Sequence, residues 1–281
     1  MTKANVWLDV AKKDFADAAR SKMLWTLSAL MIVFVGIASY APNAMMEDPD
    51  IEAALNFMSS PMLILIPILA MIVGYMSIVG ERDTGSIRML LSLPIVRWEV
   101  LVGKFVGRLG VLTLPTVAGF GVGAVVMVAL YGDVPAGSFV EFLVLTLLVA
   151  MLYIAIAVGI SASVDSRGKA MGLAAGAILV LEYLWSAVPL GIYYLLNGNL
   201  TMTGGVPDWF QFMSFLTPKA SLQKFLLMFF DFGFANSLGG LQAGSDAPIY
   251  LQNWFSGIVV LLWLLVPLAI GYVRFQRATI S

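Results

Sequence analysis

One carboxylate stands alone among apolar residues. Glu182 lies near the centre of an apolar run over residues 171–195. A charge at such a position costs roughly 2.5–3.5 kcal/mol on insertion scales. The group must therefore be protonated, paired or facing a watery cavity. Ser186 follows one helical turn on, and Pro189 would free the carbonyl of Trp185, so either could be its partner. Two chemistries fit: a group on a transport path that couples protons, or a neutral carboxyl hydrogen-bonding between helices. Catalysis is poorly supplied elsewhere. The chain has no His and no Cys, which excludes thiol nucleophiles, disulfides, histidine–zinc sites and serine–histidine triads. Ser161, Ser163 and Asp165 form one polar cluster, which a connecting turn explains. Ser166-Arg167-Gly168-Lys169-Ala170 lacks the spacing and the hydroxyl of a phosphate-binding loop. Met45, Met46 and Met58 carry soft thioethers that could hold copper. Methionine is also ordinary apolar filler, so no catalytic or metal site is expected.

The elements that hold Glu182 are set by composition. Of 281 residues, 60% are hydrophobic and 12% charged, against about 25% charged in a soluble domain. No soluble core can hide that much apolar surface, so the bilayer is the expected solvent. A spanning helix needs about 20 mostly apolar residues. Six segments qualify: residues 23–40, 61–80, 109–131, 139–160, 171–195 and 255–273. Glu141 and Glu182 are their only charges. Backbone groups in lipid must be satisfied internally, so the spans are helices. The expected fold is an all-α polytopic membrane protein of one domain, residues 1–281. The first span is longer than a signal-peptide core and follows a long mixed-charge segment, so it reads as a retained helix.

Charge sorts by position. Fourteen of the 16 basic residues lie before span 1, between spans 2 and 3, between spans 4 and 5, or after span 6. Only Lys219 and Lys224 fall in the alternate segments, which hold nine of the acids. Basic residues collect on the cytoplasmic side, so both termini are expected there, in a cell membrane. The net charge of −1 suggests no nucleic-acid partner.

Three connecting segments stand out. In residues 1–22, Leu8, Ala11, Phe15, Ala18 and Ala19 recur at helical spacing. Lysines and aspartates take the other face, giving an amphipathic helix for the inner interface. In residues 81–108, Asp83 or Thr84 can cap a short helix through Leu91. Pro94 interrupts it, and a second helix starts near Arg97. The bend presents Leu90, Leu91, Leu93, Pro94 and Ile95. These either return to the lipid interface or dock in a groove on a soluble partner. Residues 196–254 carry Trp209, Phe210, Phe212 and Phe215 before Thr217-Pro218-Lys219, then Phe225, Phe229, Phe230, Phe232 and Phe234. Short aromatic helices dipping into the outer leaflet fit this pattern, as does a packed external cap. Residues 225–235 are apolar but too short to span. Gly119/Gly123 and Gly172/Gly176 are small-residue pairs that could allow close helix contact within or between subunits.

Residues 81–108 resemble the cytoplasmic hairpin of permeases of the type-2 ATP-binding-cassette (ABC) exporter family. The resemblance rests on Glu81, Gly85-Ser86-Ile87, Leu90-Leu91, Ser92-Leu93-Pro94 and Gly103-Lys104. Lys12-Lys13-Asp14-Phe15, Arg20-Ser21-Lys22 and residues 161–170 are similar too. The likeness covers essentially the whole chain. It implies that Thr84, Gly85, Leu90, Leu91, Leu93, Pro94 and Arg97 form a coupling helix seated on a separate ABC ATPase subunit. That partner would hold the ATP and magnesium, with no cofactor in this chain. It also implies a second permease copy and re-entrant helices in residues 196–254. The alternative is a stand-alone secondary transporter or channel, which predicts internal repeats and several intramembrane charges.

Overall fold

A computed structural model describes residues 6–86, 95–202, 205–230 and 247–278. Every regular element among them is helical. Five helices are long and apolar enough to cross a membrane, and a bent pair makes a sixth if it crosses as one span.

The first helix, α1 (Val6–Arg20), ends where Ser21 caps α2 (Lys22–Met45), its hydroxyl accepting the Met23 N–H at 3.2 Å. Asp50 caps α3 (Ile51–Gly74) by accepting the Ala53 N–H at 2.6 Å. The second span thus begins ten residues before the expected boundary at Pro61. Pro61 and Pro67 lie inside the helix, as neighbouring helices allow in membrane bundles. A turn then leads to α4 (Val79–Asp83). The Ser161 hydroxyl accepts the N–H groups of Ile78 and Val79 at 3.0 and 3.1 Å, satisfying that break.

Next comes α5 (Arg97–Tyr131), 35 residues long. At about 1.5 Å per residue it exceeds a 30 Å hydrocarbon core by roughly 20 Å. Its start near Arg97 agrees with the sequence, and Glu99 accepts the Val96 N–H at 2.8 Å. It closes on Gly132, whose φ of +78° suits glycine. The central helix is α6 (Ala136–Ser163). Phe142, Leu145, Val149, Tyr153, Ile154 and Val158 on it are fully buried, and it packs against α3, α5 and α11 (Asn253–Arg277).

The fifth span departs from expectation. Its first helix, α7 (Arg167–Ile178), passes into a π-helical turn at Leu179–Leu184. A new helix, α8 (Ala187–Asn197), leaves at 53°. The span is therefore broken at the level of Glu182, not continuous over residues 171–195. Beyond it lie α9 (Asp208–Ser214) and α10 (Pro218–Leu226). These short helices are separated at Phe215–Thr217, and Thr217 caps the second by accepting the Ala220 N–H.

Close approaches fix the bundle. A Cβ on Gly159 would lie 2.3 Å from the Pro267 carbonyl oxygen, while the position of a Gly271 Cβ is 2.9 Å from Gly159 Cα. Gly159→Ala is expected to force α6 and α11 apart and cost about 1–3 kcal/mol. A lowered melting temperature in detergent would show it, and a wild-type melt would contradict it. Gly119 and Gly123 face Met31 and Val35 of α2, so that pair serves contact within the subunit. Gly172 and Gly176 face open space.

Candidate functional site

Two buried charged clusters stand out, one at the basic end of the bundle and one deeper within it. At the end rich in basic residues, α1 lies along the first turns of α5. Gly103 and Gly107 permit this: a Cβ there would meet Trp7 O at 2.7 Å and Asp14 Cβ at 2.9 Å. Part of the apolar face of α1, expected at the inner interface, is thus seated on α5, with Val10, Ala11 and Ala18 buried. Asp14 is buried with them, which corrects its placement on the polar face. Its carboxylate accepts from Lys104 Nζ at 2.7 Å and pairs with Arg108 at 2.9 Å. Lys104 also donates to Glu81 of α4. Two positions that carried the family resemblance, Glu81 and Lys104, therefore meet in one ion pair. Together the four side chains tie α1, α4 and α5 at the root of the hairpin.

The proposed coupling residues divide. Thr84 closes α4, its hydroxyl bonded to Gly80 O at 3.1 Å, so it ends one helix where it was expected to cap another. Asp83 is the last residue of α4 and pairs with Arg167 at 2.8 Å. Gly85 has a φ of +74°, turning the chain after that helix. Arg97 donates to the carbonyls of Phe275, Gln276 and Ala278, capping the end of α11. Leu90, Leu91, Leu93 and Pro94 lie outside the described residues.

Deeper in the bundle, the break in the fifth span holds Glu182. Its side chain is 2% exposed. It accepts from the Tyr153 hydroxyl of α6 and pairs with Lys219 in the first turn of α10. These replace the partners expected from sequence. The Trp185 carbonyl is occupied by the Val188 N–H at 3.0 Å, and the Trp185 indole donates to Met213 O at 2.8 Å. Glu182 thus ties the fifth span to two other helices, through the hydroxyl on α6 and the ammonium on α10. Ser186 does share its cavity, about 180 Å³ lined also by Trp185, Ser214, Thr217 and Lys219. An apolar groove of about 520 Å³ adjoins it, lined by Trp185, Phe212, Leu216, Phe255 and Trp263.

Residues 8–280 match the family model for ABC-2 family transporter proteins. The chain belongs to the ABC-2 transporter family. Two curated relatives support a permease subunit. A probable ABC transporter permease protein NosY from Stutzerimonas stutzeri is 29% identical over 279 residues, covering 97% of this chain and 98% of the relative. A protein of the same name from Pseudomonas aeruginosa is 29% identical over 283 residues, covering 98% and 99%.

The ABC-2 permease also buries a cation that sequence reasoning passed over. Lys224 is 3% exposed and lies 3.6 Å above the Phe215 ring. Its Nζ has no hydrogen-bond partner among the described residues. Burial pulls its ammonium from 10.5 down to about 8. The unfolded chain keeps this proton to higher pH than the folded one, so stability rises as pH climbs from about 8 towards 10.5. Lys224→Met is expected to raise the melting temperature by about 2–4 °C near neutral pH. The gain should shrink to nothing by about pH 10.5. An unchanged pH slope would contradict the assignment. Met58 is buried beside the Ser39 hydroxyl, at 3.9 Å, while Met45 and Met46 are exposed.

Proposed function

We propose that this ABC-2 permease is the membrane half of an ATP-driven exporter in the cytoplasmic membrane, with both termini cytoplasmic. Two copies would work with two separate ATPase subunits. The bend at residues 87–94, with Thr84, Gly85 and Arg97 at its root, would be the coupling helix. The observation that carries this reading is the Asp14–Lys104–Glu81–Arg108 cluster. A push on the bend reaches α4 through Glu81 and α5 through Lys104, and Asp14 passes it to α1. The long α5 and the central α6 then connect that end to the Glu182 cavity. Binding or closing of cargo there would alternate access between the two faces. Ser186 and the Glu182–Lys219 pair would line that path.

The test is co-purification with the ATPase, followed by substrate-stimulated ATP hydrolysis across candidate lipids, drugs and peptides. Leu91→Asp should dissociate the ATPase or cut stimulated hydrolysis at least ten-fold. Wild-type coupling in that variant would refute the coupling-helix assignment. The broken fifth span with its ion pair also suits a stand-alone secondary transporter. Full transport by the purified chain without any ATPase would favour that reading.

A further inference from the structure

A second cavity, of about 590 Å³, lies at the basic end. It is lined by Arg82, Ser163, Val164, Asp165, Lys169, Arg274, Arg277 and Ala278. Four cations face one carboxylate, and that carboxylate is already paired with Lys169 at 2.8 Å. Arg82 is held in place by donating to Val164 O at 2.7 Å. Its guanidinium and that of Arg97 flank the Phe275 ring, 5.7 and 5.3 Å from its centroid. Arg274 and Arg277 are exposed and make no ion pair among the described residues.

From this cavity we infer that the basic end binds the phosphate headgroup of an anionic lipid. Arginine forks match phosphate oxygens, and basic pockets between membrane helices hold such headgroups. The carbonyls at the end of α11 would repel an anion, but Arg97 already caps them. A free phosphate would satisfy the same cations. The lipid is favoured by the surface leading to them: Val266, Ile270, Val273 and Arg277 recur at spacings of four, three and four on α11, all exposed. They form one apolar stripe that ends in a guanidinium, which suits an acyl chain below a phosphate.

The inference does not depend on coupling to an ATPase, and binding alone tests it. The full chain, with its ATPase if the two co-purify, would be taken in neutral detergent and its bound lipid read by native mass spectrometry. Phosphatidylglycerol and phosphatidylcholine of equal chain length would compete, with and without millimolar inorganic phosphate. The expected result is selective retention of phosphatidylglycerol that inorganic phosphate does not displace. Arg274→Gln with Arg277→Gln should weaken that retention by roughly ten- to thirty-fold. Equal retention of the two lipids by the wild-type chain would overturn the site. So would unchanged selectivity in the double variant. Displacement by inorganic phosphate would show a soluble-anion site instead of a lipid one.

Discussion

Lys104→Met should destabilise the protein by about 3–5 kcal/mol, the usual cost of removing one partner from a buried ion pair. The Lys104 side chain is 6% exposed and that of Asp14 only 2%. Without the ammonium, Asp14 keeps Arg108 while Glu81 loses its cation. Two carboxylates then face one guanidinium in a site built for two cations. Thermal unfolding in detergent reads the loss, and protease cleavage between α1 and α2 should accelerate. Asp14→Leu combined with Lys104→Met should recover only part of the stability, because the apolar pair leaves Arg108 and Glu81 without their partners. Both variants melting like wild type would mean that the cluster holds nothing together.

The second large effect is expected at Glu182. Glu182→Ala leaves Lys219 without its counter-ion and the buried Tyr153 hydroxyl without its acceptor. A loss of about 3–5 kcal/mol is expected. Glu182→Gln keeps an acceptor for Tyr153 but deletes the charge. If the pair serves transport, that variant should lower the rate at least ten-fold. Glu182→Gln with Lys219→Met separates the two roles. It should restore the melting temperature and leave transport low. Glu182→Gln with wild-type rate and pH profile would remove Glu182 from the transport path and leave it as a structural tie.

The spans were legible because lipid demands long apolar windows, and the windows are nearly free of charge. Their ends were less so. Pro61 looked like a helix start, yet the cap that decides it is Asp50, eleven residues earlier. Span 5 hid its break. Pro189 reads from sequence as freeing the Trp185 carbonyl inside one helix, but it is the third residue of α8, where a proline needs no donor. Asp14 was misplaced because its charge outweighed its spacing. It sits four residues from Val10 and four from Ala18, in phase with the buried stripe. Lys219 was counted as an outer-loop cation, and nothing local says that its loop folds back onto Glu182. Pairings across 23, 37 and 90 residues need the tertiary arrangement.

The length of α5 has a mechanical consequence. From Arg97 to Pro115 it runs 18 residues, or about 27 Å. A tilt of about ten degrees pivoting at Pro115 would sweep the Arg97 end through roughly 5 Å. Arg97 grips the last carbonyls of α11 and Lys104 grips α1 and α4, so that sweep cannot be confined to one helix. The first turns of α5 are the arm of a lever whose load is the whole basic end.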